Sequence, residues 1–181
     1  LQGRLILATI LTINGKTPVI HPSAFIAENA VIAGQVFIGE RANIWYGAVL
    51  RADQGLDIRI GDKSSIQDNS VIHTSHINPT IVKKSVTVGH GAVLEGCVVE
   101  DGALIGMNAC VLDGSSVGAG SLIAAGSVVK EGDNIPEKML AAGVPAKVKK
   151  ELEGSALKHV SSAADFYYQK LMDLHKDVQN D

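Results

Sequence analysis

Val82-Lys-Lys-Ser-Val-Thr-Val-Gly-His-Gly-Ala-Val-Leu-Glu-Gly-Cys97 is the stretch that decides how this chain is read. Its aliphatic residues Val82, Val88 and Leu94 stand six apart, and a small residue, Ala92, follows Val88 by four. A helix repeats about every 3.6 residues and a half-buried strand about every 2, so neither accounts for a strict six. His90 and Glu95 are residue types that such a repeat does not require. With His73 upstream they mark a candidate metal site.

The period extends in both directions. Upstream it passes through Ile20, Ile26, Ile32, Ile38, Ile44 and Leu50, then Ile60, Ile66 and Ile72. Downstream, after one five-residue step, it runs through Val99, Ile105, Val111, Val117, Ile123 and Val129. Ala24, Ala30, Ala42, Ala48, Ala103, Ala109, Ser115, Ser121 and Ser127 supply the small residue four positions on. A fixed short period of this kind specifies a solenoid of short strands, each aliphatic residue pointing inward and each small residue turning a corner. The pattern resembles the left-handed parallel β-helix, a triangular prism with three hexapeptides per coil. The fold class expected is thus an all-β solenoid, a left-handed parallel β-helix of hexapeptide repeats with a C-terminal α-helix.

Two excursions interrupt the repeat, residues 51–59 and a loop around His76, Asn78 and Pro79, and loops leaving a rigid scaffold are where function is usually placed. Residues 133–148 read as the exit from the prism, with Gly143-Val-Pro-Ala-Lys147 marking it. Beyond about Ser155, Leu157, Val160, Ala164, Tyr167 or Tyr168, Leu171, Leu174 and Val178 recur at helical spacing. Ser162 followed by Asp165 is the expected N-terminal cap of a helix starting within this stretch. The division expected is a β-helix domain over 1–150 and, over 151–181, a helix packed on the prism.

Composition sets outer bounds. Aromatic residues make up 4% of the 181 residues against 46% hydrophobic, so Val, Ile, Leu and Ala must build the interior, and nineteen glycines exclude a helical bundle. A net charge of −3 offers no footprint for nucleic acid or an anionic membrane, and no apolar run reaches the roughly 18–20 residues of a membrane span. Leu5-Ile-Leu-Ala-Thr-Ile-Leu11 leads into the turn Asn14-Gly15 and reads as a strand rather than a signal peptide. Cys97 and Cys110 read as small buried thiols rather than a disulfide, which points to a reducing compartment, the cytoplasm.

Register then assigns faces. Counted in threes, Leu50, Ile72 and Leu94 open segments on one face, so the residues after them, Arg51, His73 and Glu95, form a ladder with coils about 4.8 Å apart. Ile44, Ile66 and Val88 open segments on another face, where Asp68 stacks with His90 beside Gln67. Two faces of a prism point apart, so His73 and His90 of one chain do not meet. A closed cyclic trimer would join them, giving three identical inter-subunit sites.

Trp45-Tyr-Gly-Ala-Val-Leu-Arg-Ala-Asp53, Ile66-Gln-Asp-Asn-Ser-Val-Ile-His73 and Val88-Gly-His-Gly-Ala-Val-Leu-Glu-Gly-Cys97 resemble the γ-class carbonic anhydrases over roughly residues 14–150. The resemblance implies a homotrimer of left-handed β-helices that hydrates CO2, a small-molecule substrate, with a metal-bound hydroxide between subunits. It implies Zn2+, with Fe2+ or Co2+ as other occupants, held by three histidines. His73 matches the first ligand and His90 the second, donated by the neighbouring chain. Glu95 stands where the family has its third histidine. Arg51 and Asp53 match an ion pair near the interface, Gln67 the residue that hydrogen-bonds the hydroxide, and Asp68 a carboxylate just outside the ligands.

A second departure concerns the proton. Gln54 follows Asp53 where the archaeal prototype has a glutamate, and residues 74–81 contain no carboxylate. Shuttling then falls to buffer, His76 or a tyrosine such as Tyr168. A His2Glu set suits zinc or iron(II), but its carboxylate cancels one unit of metal charge, so bound water is acidified less and CO2 hydration is weaker. Other readings are a hexapeptide acyltransferase or metal-dependent thioesterase acting on acyl-CoA, and a non-catalytic structural trimer. His21, His159 and His175 read as surface residues.

Overall fold

The computed structural model describes residues 8–171. Within them the chain winds into a left-handed solenoid of about seven turns whose walls are three sheets. The first wall stacks Thr9–Leu11, Val31–Gly34, Val49–Ala52, Val71–His73, Val93–Glu95, Cys110–Val111 and Val128–Val129. The second runs from Val19–Ile20 through Val36–Ile38, Ile58–Ile60, Thr80–Val82, Val98–Val99 and Ser116–Val117 to Asn134–Ile135. The third stacks Phe25–Ile26, Asn43–Ile44, Ser65–Ile66, Thr87–Val88, Leu104–Ile105, Leu122–Ile123 and Met139–Ala142. All these pairings are parallel, and Lys147–Glu151 closes the third wall by pairing antiparallel to Met139–Ala142.

The period explains the walls. Ile32, Ile44, Leu50, Ile66, Ile72, Val82, Val88, Leu94, Val99, Ile105, Val111, Val117, Ile123 and Val129 are fully buried along the axis. Burying each such side chain is worth about 1.5–3 kcal/mol, while strands of two or three residues have no stability alone and rely on the coils above and below. The small residues fill the corners, where Ala30, Ala42, Ala48, Ala92 and Ala109 have no accessible surface. The corner serines use their hydroxyls; that of Ser121, for example, donates to the Pro136 carbonyl at 2.6 Å. At Gly34 (φ +81°), where residues 51–59 leave the prism one coil on, a Cβ would lie 2.0 Å from the Ala52 carbonyl oxygen. Only glycine fits there.

Thr9–Leu11 pairs with Val31–Gly34, in keeping with the strand expected from Leu5 to Leu11, although Leu5, Ile6 and Leu7 lie outside the described residues. Cys97 is buried, and burial pushes its thiol up to about 12. Cys110 departs from the expectation of two buried thiols: it is only half-buried, because it occupies an outward position on the first wall. Both cysteines are free.

The helix spans Gly154–Phe166 and continues as a π-helical turn, Tyr167–Leu171. Its N-cap is Glu153, with no side-chain capping bond, so the expected cap at Ser162 is corrected: Ser162 lies mid-helix and its hydroxyl donates back to the His159 carbonyl. The antiparallel strand delivers the chain to the prism nine residues earlier than that cap would require, Glu153 against Ser162, and packing of Val160 and Ala164, both buried, sets the start instead. Leu174, His175 and Val178 lie outside the described residues. Tyr167 packs edge-on to Trp45, 6.0 Å between ring centroids, beside Phe25 and Ala27. Among the described residues no helix is long and apolar enough to cross a membrane.

Candidate metal centre

On the first wall Arg51, His73 and Glu95 occupy successive rungs as direct Cα partners. The alternation of a parallel strand turns all three outward once Leu50, Ile72 and Leu94 point in. Arg51 pairs with Asp53, whose Oδ1 lies 3.0 Å from His73 Nε2. Burial pushes the Asp53 carboxyl up, but hydrogen bonds from His73 and Arg51 outweigh it and hold the group below its ordinary range. The other ring nitrogen, His73 Nδ1, stands 3.4 Å from Glu95 Oε1. His73 is 12% exposed and Glu95 44%, so the pair opens outward from the wall. An apolar row, Val49, Val71, Val93, Cys110 and Val128, runs beside it.

The third wall carries the second half. Asp68 Oδ2 lies 2.7 Å from His90 Nδ1. A carboxylate only accepts, so Nδ1 carries the proton and the Nε2 lone pair is left available. Gln67, 3% exposed, is hydrogen-bonded to the Tyr167 hydroxyl. Burial, then the Asp68 charge, raises the Tyr167 hydroxyl above the ordinary phenol range despite that bond, and Tyr46 is raised by burial, Glu28 and Asp68. A groove of about 540 Å³ between this wall and the helix is lined by Gln67, Thr87, His90, Met107, His159 and Tyr167, among others.

Tyr167 is the residue that sequence reasoning missed. The helical stripe admits Tyr167 or Tyr168, and a π-turn at that point alters the rotation on which a periodic argument depends. Tyr168 instead lies under the Arg41 guanidinium, 5.3 Å from ring centroid to Cζ. His76 is exposed on its loop, and His21 is exposed and bonded to Ser23 at 2.8 Å. Gln54 is half-buried, its Oε1 without a hydrogen-bond partner.

Among the described residues of one chain, no three His, Cys, Asp or Glu side chains gather around a common point. The donors are split between two walls: His73 and Glu95 on one, His90 on the other. The first pair nonetheless suits a metal. Ligand bonds of about 2.0–2.1 Å give a tetrahedral edge of about 3.3–3.4 Å, and the His73–Glu95 separation is 3.4 Å. Two imidazoles and one carboxylate form a donor set that zinc and iron(II) accept.

Residues 96–131 match the family model "Bacterial transferase hexapeptide (six repeats)". A carbonic anhydrase of Geobacillus kaustophilus is 45% identical over 156 residues, covering 86% of this chain and 85% of that protein. Gamma carbonic anhydrase 2 of Arabidopsis thaliana, a mitochondrial protein, is 39% identical over 88% of this chain, which spans 59% of that relative's length. Among solved structures, a Bacillus cereus protein described as a candidate acetyltransferase superposes with a TM-score of 0.88 at 40% identity, covering 90% of this chain and 94% of the other. Repeat, ladders and relatives agree: the chain belongs to the γ-class carbonic anhydrase family of hexapeptide-repeat proteins.

Proposed function

We propose that this protein is a metal-dependent carbonic anhydrase, hydrating CO2 reversibly at sites shared between the subunits of a homotrimer. The observation that carries the reading is the split donor set: His73 and Glu95 at a tetrahedral edge on one wall, and His90 on another with Nε2 freed by Asp68. Each half lacks what the other supplies. A cyclic trimer sets the first wall of one chain against the third wall of the next, and the apolar row through Val71 is the surface such packing would cover.

His73, Glu95 and a neighbour's His90 would hold the metal, Zn2+ first, with Fe2+ or Co2+ able to use the same donors. When bound, a divalent ion there lowers the pKa of coordinated water toward neutrality, less so with a carboxylate ligand than with three imidazoles. Gln67, buried and tied to Tyr167, holds the reacting water by its side-chain amide. Asp68 keeps His90 in the ligating tautomer, and Asp53, anchored by Arg51, fixes the His73 ring. Gln54 has no ionisable group, so the proton released on hydration would leave through buffer, the exposed His76 or a tyrosine.

The test is metal content per chain on protein purified without chelator and without air, with CO2 hydration followed on the same sample. About one ion per trimer interface with chelator-sensitive hydration supports the reading; metal-free trimer without activity defeats it. Acyl transfer is the second reading, favoured by the description of the Bacillus cereus structure and by the groove beside His90. Binding of acetyl-CoA in calorimetry would select it.

A further inference from the structure

We propose that Thr80 is a positioning residue for the metal pair His73 and Glu95, with the 74–81 excursion serving as the brace that holds it in place. Thr80 is fully buried at the point where the excursion returns to the second wall. Its hydroxyl donates to the backbone carbonyl of His73 and accepts the backbone N–H of Gly96 at 2.7 Å. Its own N–H donates to the Asp57 carbonyl at 3.2 Å in the preceding coil. One side chain therefore ties the peptide of the first ligand to the peptide that follows the second.

The geometry of that rung gives the reason. The Gly96 N–H also points at the His73 carbonyl, but at 3.3 Å, longer than the 2.9 Å of the neighbouring bond from Ile81 to Cys97. Two irregularities meet here. The chain has just left and re-entered the prism, and the next coil is short by one residue between Leu94 and Val99. The backbone ladder alone does not span the rung at normal length, and the hydroxyl is inserted into it as a shared donor and acceptor.

The rest of the excursion locks this arrangement. Ser75 Oγ accepts the N–H groups of Ile77 and Asn78, and Asn78 Nδ2 donates to Asp113 Oδ1 at 3.0 Å. Gly96 (φ +58°) lies against both: a Cβ there would come within 2.0 Å of Asp113 Oδ1 and 2.9 Å of Ser75 Oγ. The loop is latched onto the back of the His73–Glu95 rung. Since the 3.4 Å separation of the two donor atoms already matches a tetrahedral edge, a shift of a few tenths of an ångström between the coils would degrade it.

The inference rests on the reading of His73 and Glu95 as ligands, and the experiment separates the two. Zn2+ affinity is measured by chelator competition on the wild-type chain, Thr80→Val and Thr80→Ser, at a temperature where circular dichroism shows each one folded. Thr80→Val keeps the shape and removes the hydroxyl; about tenfold or greater loss of Zn2+ affinity is expected, the scale of removing an outer partner of a metal ligand. Thr80→Ser restores the hydroxyl and should bind like wild type. Wild-type affinity in Thr80→Val overturns the proposal. Equal loss in Thr80→Ser also overturns it, since the methyl group would then be what matters. Should Thr80→Val not fold, Thr80→Ser is compared with Thr80→Ala under the same criteria. A wild type that takes up no Zn2+ defeats the metal-centre reading itself, and this inference with it.

Discussion

Asp68 Oδ2 and His90 Nδ1 stand 2.7 Å apart on adjacent rungs of the third wall, which leaves the opposite nitrogen of the ring facing outward. A carboxylate in that place fixes the tautomer and the orientation of the histidine ring. Asp68→Ala is therefore expected to weaken metal binding by roughly 10–100-fold while the prism stays folded. Chelator competition and circular dichroism on the same preparation check both halves of that statement.

In the proposed centre, a Glu95 ligand would lower the net charge that a bound metal presents to water. Glu95→His, with His73 one rung away, should raise CO2 hydration at neutral pH and move the pH profile toward lower pH. Stopped-flow hydration, normalised to metal content, reads this directly. A drop in activity at full metal loading would count against the assigned role.

Val71, 37% exposed, lies in the apolar row beside the His73 ladder. A charge there cannot be desolvated against a neighbouring subunit without a large cost. Val71→Lys should shift sedimentation from trimer toward monomer and abolish metal retention, with the far-ultraviolet spectrum unchanged.

Leu94 is fully buried beneath Glu95. Leu94→Ala removes atoms from a close-packed axis and should cost about 2–5 kcal/mol in denaturant unfolding.

Asp113 carries the pH sensitivity of the brace. Hydrogen bonds from Ser75 and Asn78 hold its carboxyl below the ordinary value despite some burial. A depressed folded-state pKa contributes stability above the unfolded-state value, about 3.9, and loses it as pH falls through the folded-state value. Asp113→Asn should be less stable than wild type at pH 7, and the difference should shrink below about pH 4. Urea unfolding at the two pH values measures it.

The inward series from Ile20 to Val129 was legible because in a stacked hexapeptide each side chain's direction follows from its place in the period. The same count put Arg51, His73 and Glu95 in one ladder and Asp68 with His90 in another, and the pairings agree with it. The helix was legible as a helix, but its start was not, since Gly154 follows from where the preceding strand delivers the chain rather than from a capping residue.

The prism, its register and the walls on which its donors stand all follow from the local period, which the order of residues carries without any tertiary contact. Tertiary structure alone decided that Tyr167 rather than Tyr168 meets Gln67, that Asp53 reaches back to His73, and that Thr80 closes the rung between His73 and Gly96. Those contacts come from a π-turn and two aperiodic excursions. There side-chain direction is set by packing against distant coils, and no repeat in the sequence records it.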